Sequence, residues 1–175
     1  MKSLIAYFSR RGDNYLGGGI AHLAVGNTEE VAKTIQKLVG GVLFAIETVV
    51  PYPTDYEEAT EAAKQELKRK ARPELARRVE DLAEYGVVYL GFPNWWGTMP
   101  MPVWSFLELH DLGGKTILPF CTHEGGGLGR SDKDIRKLCP HSQILPGLAL
   151  KGGSVAHAES EVARWLRQAG MLSER

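Results

Sequence analysis

Val87-Val88-Tyr89-Leu90 is an unbroken apolar run near the middle of the chain, closed by Gly91, Phe92 and Pro93. A strand with one wet face alternates apolar and polar residues, and a helix needs a longer stretch. This run therefore predicts a strand covered on both faces. Parallel sheets sandwiched between helices create that environment. Similar runs lie at residues 4–8, 42–48, 116–120 and 144–150, the last broken by Pro146. Helical stretches fall between and after them at residues 28–39, 55–70, 100–109, 130–138 and 154–169. The alternation predicts one α/β domain over residues 1–175, a doubly wound five-stranded parallel sheet in three α/β/α layers.

Composition agrees with a single domain and excludes several functions. The 175 residues are 43% hydrophobic and 24% charged, ordinary values for a globular fold. Lys plus Arg (21) balances Asp plus Glu (21), so no global field draws in nucleic acid or an anionic membrane surface. Cys121 and Cys139 are too few for a disulfide framework and lack zinc-site spacing, which predicts reduced thiols. The run at 4–8 is too short for a signal segment and is stopped by Ser9, Arg10 and Arg11. No stretch approaches the roughly twenty apolar residues of a membrane-inserted helix, and a cytoplasmic protein is the expectation. The charged stretch 64–78, interrupted at Pro73, reads as a solvated helix end and the loop after it.

In a doubly wound sheet, ligands bind beyond the carboxyl ends of the strands, near the point where strand order reverses. After the first strand, Ser9-Arg10-Arg11-Gly12 opens a loop that runs through residues 13–25 to Gly26-Asn27-Thr28 at a helix start. Free N–H groups and the positive end of the helix dipole favour a phosphate there. Ser9, Asn27 and Thr28 can add donors, and Arg10 or Arg11 can add charge. Asn27 could equally cap the helix, with Glu30 completing a capping box. The carboxylates of Glu29 and Glu30 would oppose a dianion unless they turned away.

The third strand is followed by Pro93-Asn94-Trp95-Trp96-Gly97-Thr98-Met99-Pro100. Neighbouring side chains of an extended segment point to opposite sides. If one tryptophan packs inward, the other is left to cover a planar ligand or to face water. A structural alternative packs one ring on the helix bearing Trp104 and lays the other flat on the surface. The fourth strand is read as ending at Phe120, before Cys121-Thr122-His123-Glu124-Gly125-Gly126-Gly127-Leu128-Gly129. Its glycines let backbone amides approach a ring edge. Cys121 reads as a small buried hydrophobe rather than a reactive thiol.

Taken together and in chain order, these loops resemble the phosphate loop and the two isoalloxazine-flanking loops of flavodoxins. The resemblance covers nearly the whole sequence. It is carried by Tyr7-Phe8-Ser9 to Gly26-Asn27-Thr28, by the Pro93 to Pro100 segment with its Trp-Trp-Gly, and by Thr122-His123-Glu124-Gly125-Gly126. It implies a flavodoxin-like fold with FMN as cofactor. By the resemblance, Ser9, Arg10, Asn27 and Thr28 would hold the phosphate. Pro93, Asn94, Trp95, Trp96 and Gly97, with Thr122, His123, Glu124, Gly125, Gly126 and Gly127, would bracket the ring. Typical flavodoxins use a compact S/T-x-T-G-x-T loop, whereas here residues 13–25 intervene as a long first loop that could serve as a lid. Asp55 and Tyr56 could approach the dimethylbenzene or ribityl side.

The resemblance further implies that the flavin supplies the electron chemistry and that no side chain need be catalytic. Trp95 or Trp96 would stack on the ring, and the Trp96-Gly97 peptide would meet its N5 edge, favouring one-electron steps. Three functions follow. The first is an electron carrier serving redox partner proteins or a small acceptor. The second is an FMN-dependent NAD(P)H or quinone oxidoreductase. Carriers of this family are usually strongly acidic, so the neutral balance of charge lends weight to the enzyme. The third is a flavin-free binding domain. Other motifs fall away. Gly113-Gly114-Lys115-Thr116 lacks the first glycine of a Walker A loop and precedes a strand. His123-Glu124 lacks a second histidine, and Gly125, Gly127 and Arg130 do not complete GxGxxG. No metal is expected.

Overall fold

The computed structural model describes residues 2–174. Along them lie β1 (Lys2–Tyr7), β2 (Gly12–Leu16), β3 (Gly19–Leu23), α1 (Asn27–Val39), β4 (Val42–Ala45), α2 (Tyr56–Lys68) and β5 (Tyr85–Pro93). Then come α3 (Met101–Leu109), β6 (Thr116–His123), α4 (Ser131–Leu138), β7 (Gln143–Ile144), β8 (Leu148–Lys151) and α5 (Glu159–Gln168). The central sheet is parallel with order β4-β1-β5-β6-β7, and β8 also pairs with β6. Among the described residues, no helix is long and apolar enough to cross a membrane.

The run at 87–90 lies at the centre of β5, and its residues serve two cores. Val88, Leu90 and Phe92 pack on one face with Val103 and Phe106 of α3 and Ile135 of α4. Tyr89 packs on the other with Val31 and Ile35 of α1 and Val162 and Leu166 of α5. The period of two along a strand sends neighbours to opposite faces, so continuous apolarity reports two helical layers. The chain leaves β1 for β4 on one side and returns to β5 on the other. Strand order therefore reverses between β1 and β5, beside Phe8, whose N–H donates to Gly91 O at 2.9 Å.

Several boundaries differ from the sequence reading, each for a backbone reason. β6 continues past Phe120 through Cys121 and Thr122 to His123, because β5 also continues and the register pairs Phe92 with Cys121 and Pro93 with Thr122. β4 stops at Ala45, where β1 ends. Residues 47–49 then turn away to pair antiparallel with residues 74–76, as Val49 N–H donates to Glu74 O and Ala76 N–H to Glu47 O. The fifth strand is split at Leu145-Pro146-Gly147 into β7 and β8. The final helix is preceded by a 3-10 segment, Gly152–His157, rather than starting at residue 154.

The largest difference lies in residues 13–25. What reads as a long loop is a β-hairpin, with β2 and β3 joined through Gly17 (φ 60°) and Gly18 (φ 94°). Two consecutive positive φ angles make a type I′ turn, whose twist matches the flanking strands and which side chains disfavour.

Candidate functional site

A cleft of about 460 Å³ opens at the carboxyl ends of β1, β5 and β6, within the ~300–1,000 Å³ typical of cofactor pockets. Its lining draws on all three loops: Ser9, Arg10, Asn27 and Thr28, then Pro93, Asn94, Trp95 and Trp96, then Thr122, His123 and Glu124. Gly97, Gly125, Gly126 and Gly127 do not line it; they shape the turns behind the lining.

At one end of the cleft, α1 starts with Gly26 as its N-cap, which has no side chain to offer. Asn27 is the first helical residue, so the capping box with Glu30 does not form. The capping acceptor comes instead from across the loop, where Ser9 Oγ takes the Glu29 N–H at 3.1 Å. As acceptor in that bond, Ser9 keeps its own O–H for a ligand. The N–H groups of Asn27 and Thr28 have no protein partner among the described residues. Thr28 Oγ1 lies 2.9 Å from Thr122 Oγ1.

The acidic first turn of α1 is neutralised locally. Glu29 meets both Arg11 and Lys33 at 3.3 Å, and Glu30 is exposed. Arg10 lines the cleft, but its guanidinium donates to Pro53 O at 3.0 Å and Thr54 O at 2.7 Å, tying the first loop to the segment before α2. This end offers neutral donors and a helix dipole, the arrangement that suits a phosphate.

At the other end the two tryptophans diverge. Trp95 packs inward, edge-on to Phe8 and Tyr52, with both ring pairs 5.2 Å apart, against the core that also takes in Val103 and Phe106 of α3. Trp96 is 49% exposed, donates its indole N–H to Thr60 O at 3.0 Å and has Lys64 Nζ 5.5 Å above its ring. Trp96 (φ 55°) and Gly97 (φ 87°) form a second tight turn, closed by hydrogen bonds between Trp95 and Thr98.

A left-handed tryptophan costs about 1–3 kcal/mol and persists only where its surroundings hold it. Here Gly97 N–H donates to Asn94 Oδ1 at 2.9 Å, Asn94 Nδ2 to Gly127 O at 2.8 Å, and Arg130 N–H to Gly97 O at 2.7 Å. The Gly97 N–H, expected from the sequence to be available to a ring edge, is therefore taken by Asn94.

His123 Nδ1 accepts the Gly125 N–H at 2.9 Å. Burial, then the nearby Lys151, lowers its pKa against the opposing pull of Glu124, which favours the neutral imidazole, and the acceptor role of Nδ1 puts its proton on Nε2. Cys121 is buried, and burial pushes its thiol up to about 12. Lys115 of the Walker-like segment donates to Leu82 O at 3.0 Å and Tyr85 O at 2.6 Å, at the end of the sheet opposite the cleft. Asp55 caps α2, its carboxylate accepting the Glu58 N–H at 2.9 Å.

Sequence reasoning missed Asn14, Tyr15, Ala59, Thr60 and Ala63, all of which line the cleft beside Tyr56. Two signals were present. Gly17-Gly18 between short alternating segments marks a hairpin, and Tyr56, Ala59, Thr60 and Ala63 share one helix face at spacings of three, four and seven. A cleft with hydroxyl, amide and helix-terminal donors at one end and indoles at the other fits an elongated ligand with an anionic tail and a planar head.

The flavodoxin family profile matches residues 19–169. A candidate flavoprotein from Bacteroides eggerthii is 29% identical, with 97% of this chain and 98% of that one covered at a TM-score of 0.78. Another, from Bacteroides uniformis, is 29% identical over 95% and 97%, with a TM-score of 0.77. A flavoprotein from Lactobacillus acidophilus, solved in complex with FMN, is 17% identical over 91% and 98%, with a TM-score of 0.65. Among curated protein sequences none matches the chain.

Proposed function

The chain belongs to the flavodoxin family, and on that premise we propose that its cleft holds FMN and that the protein passes electrons to a redox partner or small acceptor. The observation that carries this reading is the pairing, in one cleft, of a phosphate-suited helix start at Asn27-Thr28 with an indole wall at Trp95-Trp96. FMN supplies the electron chemistry when bound. The protein's part is to bind and orient. Ser9 O–H and the Asn27 and Thr28 N–H groups hold the phosphate. Trp96 covers the planar head, and Asn94 fixes the backbone of the 95–98 turn against Gly127. His123, which lines the cleft with Nδ1 taken by Gly125, would offer its Nε2–H as a donor to the cofactor.

The balanced charge of the chain (21 basic, 21 acidic) favours a second reading, an FMN-dependent NAD(P)H or quinone oxidoreductase. It carries no strong acidic field of the kind that steers carrier docking. Purified protein should be yellow, and acid release followed by chromatography should yield FMN. Anaerobic NADH or NADPH without a reductase separates the two functions, since bleaching selects the enzyme and inertness the carrier. A colourless protein that takes up no added FMN would overturn both.

A further inference from the structure

We propose that the β2–β3 hairpin is a cofactor clasp: through Asn14 and Tyr15 it adds a wall to the FMN site and slows release of the cofactor. The inference rests on the FMN reading above. The hairpin is a two-stranded sheet separate from the central one, and such a pair is marginal on its own. Its order comes from where it is anchored.

Three anchors lie on three different elements. The Tyr15 ring stacks on Tyr56 at the start of α2, centroids 6.3 Å apart at 29°. Gly17 N–H donates to Glu124 Oε2 at 3.4 Å, just beyond β6. Leu16 packs over Gly152, where a Cβ would sit 2.9 Å from Leu16 Cδ1. At the root, Asn14 Nδ2 donates to Arg10 O at 2.9 Å. Asn14 and Tyr15 line the cleft.

The hairpin's two ends meet. A Cβ on Gly26 would lie 2.6 Å from Arg10 O, so the chain departs and returns at one point and the Ser9 to Thr28 loop closes without it. The hairpin is thus an addition to the phosphate loop, bent across to α2 and the β6 end. A ligand in the cleft lies against Asn14 and Tyr15, and loosening these anchors would open that side of the site. Each is individually weak, so the opening is reversible. It acts on the rate of release more than on the rate of entry.

The test measures FMN dissociation by stopped-flow fluorescence for the whole protein, for Tyr15→Ala, and for a variant in which residues 12–23 are replaced by Gly-Gly. Both variants should release FMN at least ~10-fold faster with association little changed, and FMN should slow proteolytic cleavage at Gly17-Gly18 in the whole protein. Tyr15 is 43% exposed, so Tyr15→Ala keeps the test valid if the hairpin replacement does not fold. Unchanged release in Tyr15→Ala overturns the clasp. So does a loss of electron transfer with release unchanged, which would assign the hairpin to partner docking. Failure of the unmodified protein to bind FMN would instead refute the FMN reading itself.

Discussion

Thr28 Oγ1 and Thr122 Oγ1 stand 2.9 Å apart, joining the first turn of α1 to the last residues of β6. Both residues are buried, 2% and 5% exposed. The bond ties the loop suited to a phosphate to the strand end that leads into the third lining loop, and both threonines line the cleft. Thr122→Val is nearly isosteric but leaves the Thr28 hydroxyl without a partner. An unsatisfied buried hydroxyl costs ~1–3 kcal/mol, which in a chain of this length lowers Tm by ~2–12 °C. The double variant Thr28→Val/Thr122→Val should cost less than the sum of the singles, because both polar groups leave together. Thermal melts of the four proteins check this; strict additivity would mean the hydroxyls do not interact.

Gly26 is required by proximity rather than by torsion. A Cβ there would sit 2.2 Å from Ser9 Oγ and 2.6 Å from Arg10 O, so the Ser9 cap on Glu29 N–H must break or the backbone must move. Overpacking of this kind costs ~1–3 kcal/mol, and the same shift displaces the donors at the helix start. Gly26→Ala should therefore lose both stability and at least ~10-fold in FMN affinity. Denaturant titration and flavin fluorescence quenching test the pair of effects. An alanine variant with wild-type affinity would remove Ser9 and Asn27 from phosphate binding.

How far the sequence could be read depended on the kind of signal. The central sheet was legible because β5 presents Val88, Tyr89 and Leu90 to two cores at once, and the shortness of the run, its β-branched residues and the Gly91 and Pro93 that close it distinguish such a strand from a buried helix. Pro146 marked the break between β7 and β8 for the same local reason, its missing donor. The hairpin was not read, since Gly12 to Leu23 carries Asp13, Asn14, Gly19 and His22 and only weak apolar alternation; its turn chemistry was the sole cue. Arg10 illustrates a second limit. Its type and place suggested a phosphate ligand, while its actual partners, Pro53 O and Thr54 O, lie more than forty residues away. The contribution of α2 through Ala59 and Ala63 was hidden because small residues announce no chemistry.

Tyr52 links the ring wall to a half-buried carboxyl group: its hydroxyl donates to Glu66 Oε1 at 2.5 Å while its ring packs on Trp95. Burial raises the Glu66 pKa above the ordinary carboxyl range, outweighing the opposing effects of the Tyr52 hydrogen bond and Arg69. A carboxyl that holds its proton more tightly in the folded state contributes stability at low pH that is lost as pH rises through its folded pKa. The window opens near pH 4.3, the usual glutamate value, and extends upward. Glu66→Gln keeps an acceptor for Tyr52 and removes the desolvated charge. It should raise Tm at neutral pH, with the gain shrinking as pH falls toward 4. A constant gap across that range, or a variant less stable than wild type at pH 7, would contradict the assignment.

Trp96 combines a strained backbone with the exposed indole at the cleft. Its left-handed φ of 55° costs ~1–3 kcal/mol. Against this stand the hydrogen bond to Thr60 O and the Lys64 ammonium above the ring, worth ~0.5–1.5 and ~0.5–1 kcal/mol at an exposed site. These contributions nearly cancel. Trp96→Asn, a residue that tolerates the left-handed region, should therefore leave Tm within about 4 °C of wild type. Trp96→Val loses the same contacts but keeps the strain, and should be less stable than Trp96→Asn by ~1–3 kcal/mol. Both should bind FMN ~10-fold or more weakly, because both remove the indole face from the cleft. Equal stability of Asn and Val at this position would show that the turn relaxes when the indole is gone. Wild-type FMN affinity in either would place the stacking surface on Trp95 instead.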